Sequence, residues 1–154
     1  MRQVVDRRLI LRFCLGSAAG AAVLASAAPS YAATVTFKAD LKASSEVPPN
    51  QSSGSGSVTA LFDSASKQLT WEGSYSGLTG PVTAAHIHGP AEPGKNAGVV
   101  MWISEKGQPF PSPFKGSATL TDDQASDLTN GRYYVNIHTA ANPGGELRGQ
   151  LVKS

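Results

Sequence analysis

Apolar and polar residues alternate with a period of two from Ala33 onward. Val35, Phe37, Ala39 and Leu41 alternate with Thr34, Thr36, Lys38 and Asp40. Leu69, Trp71, Gly73 and Tyr75 alternate with Gln68, Thr70, Glu72 and Ser74. The pattern returns near the end, where Leu147, Gly149 and Leu151 alternate with Glu146, Arg148 and Gln150. Neighbouring side chains of a strand point to opposite faces, so each run describes a half-buried strand with its apolar side inward. Turn-forming clusters at 48–54, 89–94 and 142–145 separate the runs, and the chain's 16 Gly and 10 Pro favour many turns over long helices. Together they predict about eight strands, near 34–42, 56–63, 67–77, 82–88, 97–103, 115–120, 132–138 and 146–152.

One short helix fits between the last strands. Thr121 is a good N-cap, Gln124 completes a capping box, and Asp122 and Asp123 suit the positive end of a helix. Asn130-Gly131 stops it after about two turns. Many short strands and one helical crossover describe an all-β fold, an antiparallel sandwich or barrel of Greek-key type.

Residues 1–32 have a different character and read as an export signal. Arg2, Arg7, Arg8 and Arg12 outweigh Asp6, a weakly apolar stretch follows to about Ala28, and Ser30-Tyr31-Ala32 offers small residues for cleavage after Ala32. Arg7-Arg8-Leu9-Ile10-Leu11-Arg12 resembles a twin-arginine signal, with Asp6 where that signal usually has Ser or Thr; a Sec signal with a basic start is the other reading. The stretch is too short and too rich in Ala and Gly for a membrane span, which needs ~20 strongly apolar residues. Either route leads out of the cytoplasm, to the periplasm or beyond, and leaves 33–154 as one domain.

The single cysteine, Cys14, falls inside this leader. The remainder therefore has no disulfide, no thiolate metal ligand and no cysteine nucleophile. The formal charge of +2 also belongs to the leader, and residues 33–154 carry 9 basic and 10 acidic side chains. A near-neutral domain lacks the basic patch that a nucleic-acid binder needs.

All three histidines lie in the exported part. His86 and His88 are i and i+2 in Val82-Thr83-Ala84-Ala85-His86-Ile87-His88, hence on one strand face. In Tyr133-Tyr134-Val135-Asn136-Ile137-His138, Val135 and Ile137 take the core side together with Ala85 and Ile87, while Tyr134, Asn136 and His138 take the other. If the two strands pair, a strand spacing of ~4.8 Å lets all three imidazoles close around one ion. Three neutral nitrogens with an open fourth position suit copper or zinc, and copper generally binds nitrogen sites more tightly. The alternative is three surface histidines bonded to loop carbonyls. Glu92, in the loop after His88, is either a carboxylate neighbour of the site or a solvated loop charge.

Four motifs stand in order: Glu46-Val47-Pro48-Pro49, Ala85-His86-Ile87-His88-Gly89-Pro90-Ala91, Tyr134-Val135-Asn136-Ile137-His138-Thr139 and Pro143-Gly144-Gly145-Glu146-Leu147-Arg148-Gly149-Gln150-Leu151. Together they resemble the CHRD domain, the repeat unit first recognised in chordin and also found singly in exported bacterial proteins. The resemblance spans about 34 to 152 and implies an all-β, extracytoplasmic domain with no established enzymatic activity. In chordin such domains sit in an antagonist of secreted growth factors. The His-x-His strand is also similar to the copper strand of copper/zinc superoxide dismutases, although the further histidines, the aspartate and the cysteines of that family are missing here.

Glu46, Glu146 and Arg148 are the charged members of these motifs. Glu146 and Arg148 share a strand face and could bind a charged ligand or, with Asn136, orient a metal-bound histidine from behind. The simpler expectation is an Arg148–carboxylate bond tying the Glu46 loop to the last strand. Trp71, Tyr75, Trp102 and Phe37 read as core, whereas Phe110 and Phe114 either cover a sheet end or expose a loop for a partner. No nucleophile elbow, phosphate cradle or His-Glu-x-x-His helix is present. Two function classes remain: a binder of copper or zinc through His86, His88 and His138, and a metal-free module whose loops bind a protein or glycan.

Overall fold

The computed structural model of the protein describes residues 33–104 and 108–154. The export signal read in 1–32 lies outside the described residues. Strand β1 runs Thr34–Lys42 and ends in a 3-10 turn, Ala43–Ser45. It is followed by β2 (Ser55–Asp63), β3 (Gln68–Ser76), β4 (Val82–His88), β5 (Val99–Trp102) and β6 (Phe114–Thr119). Helix α1 (Asp122–Thr129) leads to β7 (Tyr134–Thr139), β8 (Leu147–Gln150) and β9 (Val152–Lys153). The expected strand at 146–152 thus appears in two pieces, and the second, Val152 and Lys153, pairs with Lys38 and Phe37 of β1.

All strands join one antiparallel sheet in the order β5-β4-β7-β8-β1-β2-β3-β6, with β9 also beside β1. The sheet curls into a half-barrel, so a single sheet supplies both walls of the core. Phe37, Ala39 and Leu41 of β1, Val58, Ala60 and Phe62 of β2, and Leu69 and Trp71 of β3 face that core. Ala85, Ile87, Val135, Ile137 and Leu147 face it from the other side, as the alternation requires. Two close approaches keep the sheet tight. A Cβ at Gly116 would meet the Trp71 indole at 2.6 Å, and one at Gly149 would meet the Asp40 carbonyl at 2.5 Å.

Helix α1 links the edge strand β6 to β7 on the opposite part of the sheet, and Leu120, Ala125 and Leu128 pack into the core cluster. Its capping box is formed as read from the sequence. The Thr121 hydroxyl accepts from the Gln124 amide at 3.2 Å, and Gln124 Oε1 accepts from the Thr121 amide at 3.0 Å. Thr121→Ala is therefore expected to cost about 1 kcal/mol, read as a lowered urea midpoint with unchanged slope. An unchanged midpoint would mean that the cap adds nothing to the helix.

Two aromatic assignments divide here. Phe37 and Trp71 are core, and Tyr75, Phe110 and Phe114 form a cluster with ring centroids 4.8–6.3 Å apart. Phe110 and Phe114 thus cover a sheet end. Trp102 is not core: it is 52% exposed on the edge strand β5. Strand β5 is only four residues long, and Val99-Val100-Met101-Trp102 is apolar throughout, so no alternation marks which face each side chain takes.

Candidate metal centre

Strands β4 and β7 pair, which is the condition the histidine reading required. The register sets Ala84 opposite His138, His86 opposite Asn136 and His88 opposite Tyr134. His86 consequently lies diagonal to His138 and next but one to His88 on the face turned away from the core. Nitrogen atoms of the three rings lie within 4.8 Å of one another. His86 Nδ1 and His138 Nε2 are 3.2 Å apart, within hydrogen-bonding distance, which holds the two rings together across the strands.

The site is not the open surface site that the strand pattern suggests. His86 is only 7% exposed and His88 and His138 are half-buried, because the 89–98 and 142–146 loops fold back over this face. Those loops also orient the rings. His88 Nδ1 donates to the Ala97 carbonyl at 3.0 Å, and His138 Nδ1 donates to the Pro143 carbonyl at 3.1 Å. Each bond holds its proton on Nδ1, the usual arrangement behind a metal-binding imidazole; His88 Nε2 keeps an unpartnered lone pair, while His138 Nε2 accepts from His86 Nδ1. The Nε2 atoms of His86 and His88 are buried without a hydrogen-bond partner.

Burial sets the charge state. Desolvation, followed by the neighbouring His138 and His88, pushes the His86 pKa down to about 4. Desolvation also lowers His88 and His138, with Arg148 adding to the effect at His88 and His88 at His138. All three rings are neutral at pH 7, the form that ligates metal.

Arg148 does something other than expected. It is 2% exposed, but it makes no ion pair with Glu46 or Glu146; its guanidinium lies 3.6 Å over the Tyr134 ring and donates to Asn96 Oδ1 and the Lys95 carbonyl. Tyr134 in turn stacks on His88, with centroids 5.0 Å apart and planes at 6°, and its hydroxyl accepts from the Ala97 amide. A guanidinium plane suits an aromatic face as well as a carboxylate, and sequence alone cannot choose between the two. Arg148 and Tyr134 thereby hold the loop whose Ala97 carbonyl holds His88.

The other charged candidates have separate partners. Glu146 is fully buried and accepts from the Ser52 hydroxyl at 2.6 Å, the Thr79 amide at 2.8 Å, and the Thr79 and Thr139 hydroxyls at 2.7 and 2.5 Å. Desolvation raises its pKa, but those bonds outweigh it and pull the value to about 2. Its stabilising contribution is thus present above the ordinary carboxylate range and lost as pH falls toward 2. Glu46 accepts from the Asn136 amide, and Asn136 also donates to the Leu147 carbonyl at 3.0 Å. Glu92 is exposed, 4.0 Å from Arg132, and is not part of the three-histidine grouping.

Glu46 gives a pH prediction. Desolvation raises its pKa from 4.5 to about 7 against the lowering effects of Asn136 and Arg148. A raised carboxyl pKa favours the folded state at low pH and costs stability as pH rises through 7. Glu46→Gln keeps the acceptor for Asn136 without the charge. It is expected to gain on the order of 2 kcal/mol over wild type at pH 8, with the gain vanishing near pH 5. Equal denaturation midpoints at pH 8 would show that Glu46 ionises without cost.

A curled antiparallel β domain carrying three converging imidazoles on its outer face is the class that fold and site define. A family model for the CHRD domain matches residues 37–151, and the chain belongs to that family, whose domains are of extracellular type. Comparison with curated proteins and with solved structures returned no match, so the likeness to copper/zinc superoxide dismutases has no support there. Among the described residues, no helix is long and apolar enough to cross a membrane.

Proposed function

We propose that this CHRD protein binds a transition-metal ion, copper ahead of zinc, through His86, His88 and His138, and that it does so outside the cytoplasm after loss of residues 1–32. The observation that carries the metal reading is the pair of buried, unpartnered Nε2 atoms on His86 and His88 beside a third imidazole within 4.8 Å. A buried polar atom without a partner costs ~1–3 kcal/mol, and an ion held by both removes that cost. Copper is favoured because it binds nitrogen ligands more tightly than zinc, and because an exported site escapes cytoplasmic metal buffering. Binding or buffering metal is the role. The basic start, the paired Arg7-Arg8 and the small residues before Ala33 support export.

The protein purified without a histidine tag, titrated with copper and zinc by calorimetry, is expected to bind one equivalent per chain far below millimolar. Chelation afterwards should lower the melting temperature and leave the β-type circular dichroism intact, since the core is complete without the ion. Failure to bind either ion below about millimolar would replace this reading with the metal-free interaction module.

A further inference from the structure

We propose that this site takes copper as the monovalent ion, with the Trp102 indole covering the ion's open side. The inference rests on the metal-binding reading and adds an oxidation state and a residue to it.

The first observation is the charge around the three rings. The grouping contains three imidazoles and no carboxylate. Glu146 is committed to Ser52, Thr79 and Thr139, and Glu46 to the Asn136 amide. The buried Arg148 guanidinium lies on Tyr134, which lies on His88, and so sets a fixed positive charge beside the rings, while the Glu46 carboxyl near Arg148 ionises only around pH 7. An ion here gains no anionic ligand and feels a fixed cation through a thin, poorly solvated layer. The Coulomb cost scales with the ion's charge, so a dication suffers twice what a monocation does.

The second observation is Trp102. The register pairs it with His86, and the two rings stand edge to face with centroids 4.2 Å apart. The indole is 52% exposed on the edge strand, so its free surface lies next to His86 and within reach of solvent. Beside the imidazoles it presents a soft, neutral, water-excluding surface. A soft d10 monocation that is content with few ligands interacts favourably with such a surface. A dication that completes its shell with water does not.

The test uses the full chain, untagged and kept anaerobic for the cuprous arm. Cu(I) is titrated against a chromophoric Cu(I) chelator such as bicinchoninate, and Cu(II) and Zn(II) are titrated by calorimetry against a weak competitor. Wild type is expected to bind Cu(I) at least ~100-fold more tightly than either dication. Trp102→Leu should weaken Cu(I) at least ~10-fold and change Cu(II) and Zn(II) less than ~3-fold, while Trp102→Phe recovers part of the Cu(I) affinity. Trp102 sits outside the core, so circular dichroism should be unchanged in both variants. A Cu(I) preference below ~10-fold, or equal losses for all three ions in Trp102→Leu, overturns the proposal but leaves the metal-binding reading standing. Binding of no ion by wild type removes both.

Discussion

Alanine at any one of His86, His88 or His138 is expected to weaken copper binding by roughly 100-fold or more, since two nitrogens make a poor site. His138 is the most telling of the three. It comes from β7, whereas the other two come from β4, so only a shared ion makes it equivalent to them. Ile87→Val, on the core side of the same strand, should cost ~1 kcal/mol of stability and leave affinity unchanged. If calorimetry finds His138→Ala as tight as wild type, the two strands do not share an ion.

The largest stability effect should come from Arg148→Ala. Its side chain is 2% exposed and ties β8 to Tyr134 of β7 and to the Lys95-Asn96 loop. Removal leaves two acceptors without their charged donor and strips a cation from an aromatic face, for a loss of about 3–4 kcal/mol in urea unfolding. Lys38→Ala, exposed on β1, should shift the midpoint by less than about 0.5 kcal/mol. Arg148→Lys should recover less than half, because an ammonium lacks the planar fork. Equal midpoints for Arg148→Ala and Lys38→Ala would deny Arg148 its structural role.

Strands, core and helix were legible because their signals are local. Alternation in 34–41 and 68–75 sorts each side chain to a face without any knowledge of neighbours, and the Thr121–Gln124 box spans three residues. Trp102 was misread for the complementary reason. Its strand is four residues long and apolar at every position, so period two carries no information there. Arg148 was expected to pair with a carboxylate and pairs instead with Tyr134, Asn96 and Lys95, because a guanidinium has several good partners and only contact chooses among them.

The amino-acid sequence by itself determined which faces exist: His86 and His88 on one side of β4, His138 on the matching side of β7, and Ala85, Ile87, Val135 and Ile137 opposite them. Tertiary structure alone decided which residues meet across those faces. The β4–β7 register that brings His138 diagonal to His86, the β5 pairing that lays Trp102 on His86, and the folding back of the 89–98 loop all join segments far apart in sequence. A period of two fixes a side chain's direction relative to its own strand. It says nothing about the neighbouring strand, whose register is set by packing of the whole curled sheet around one core.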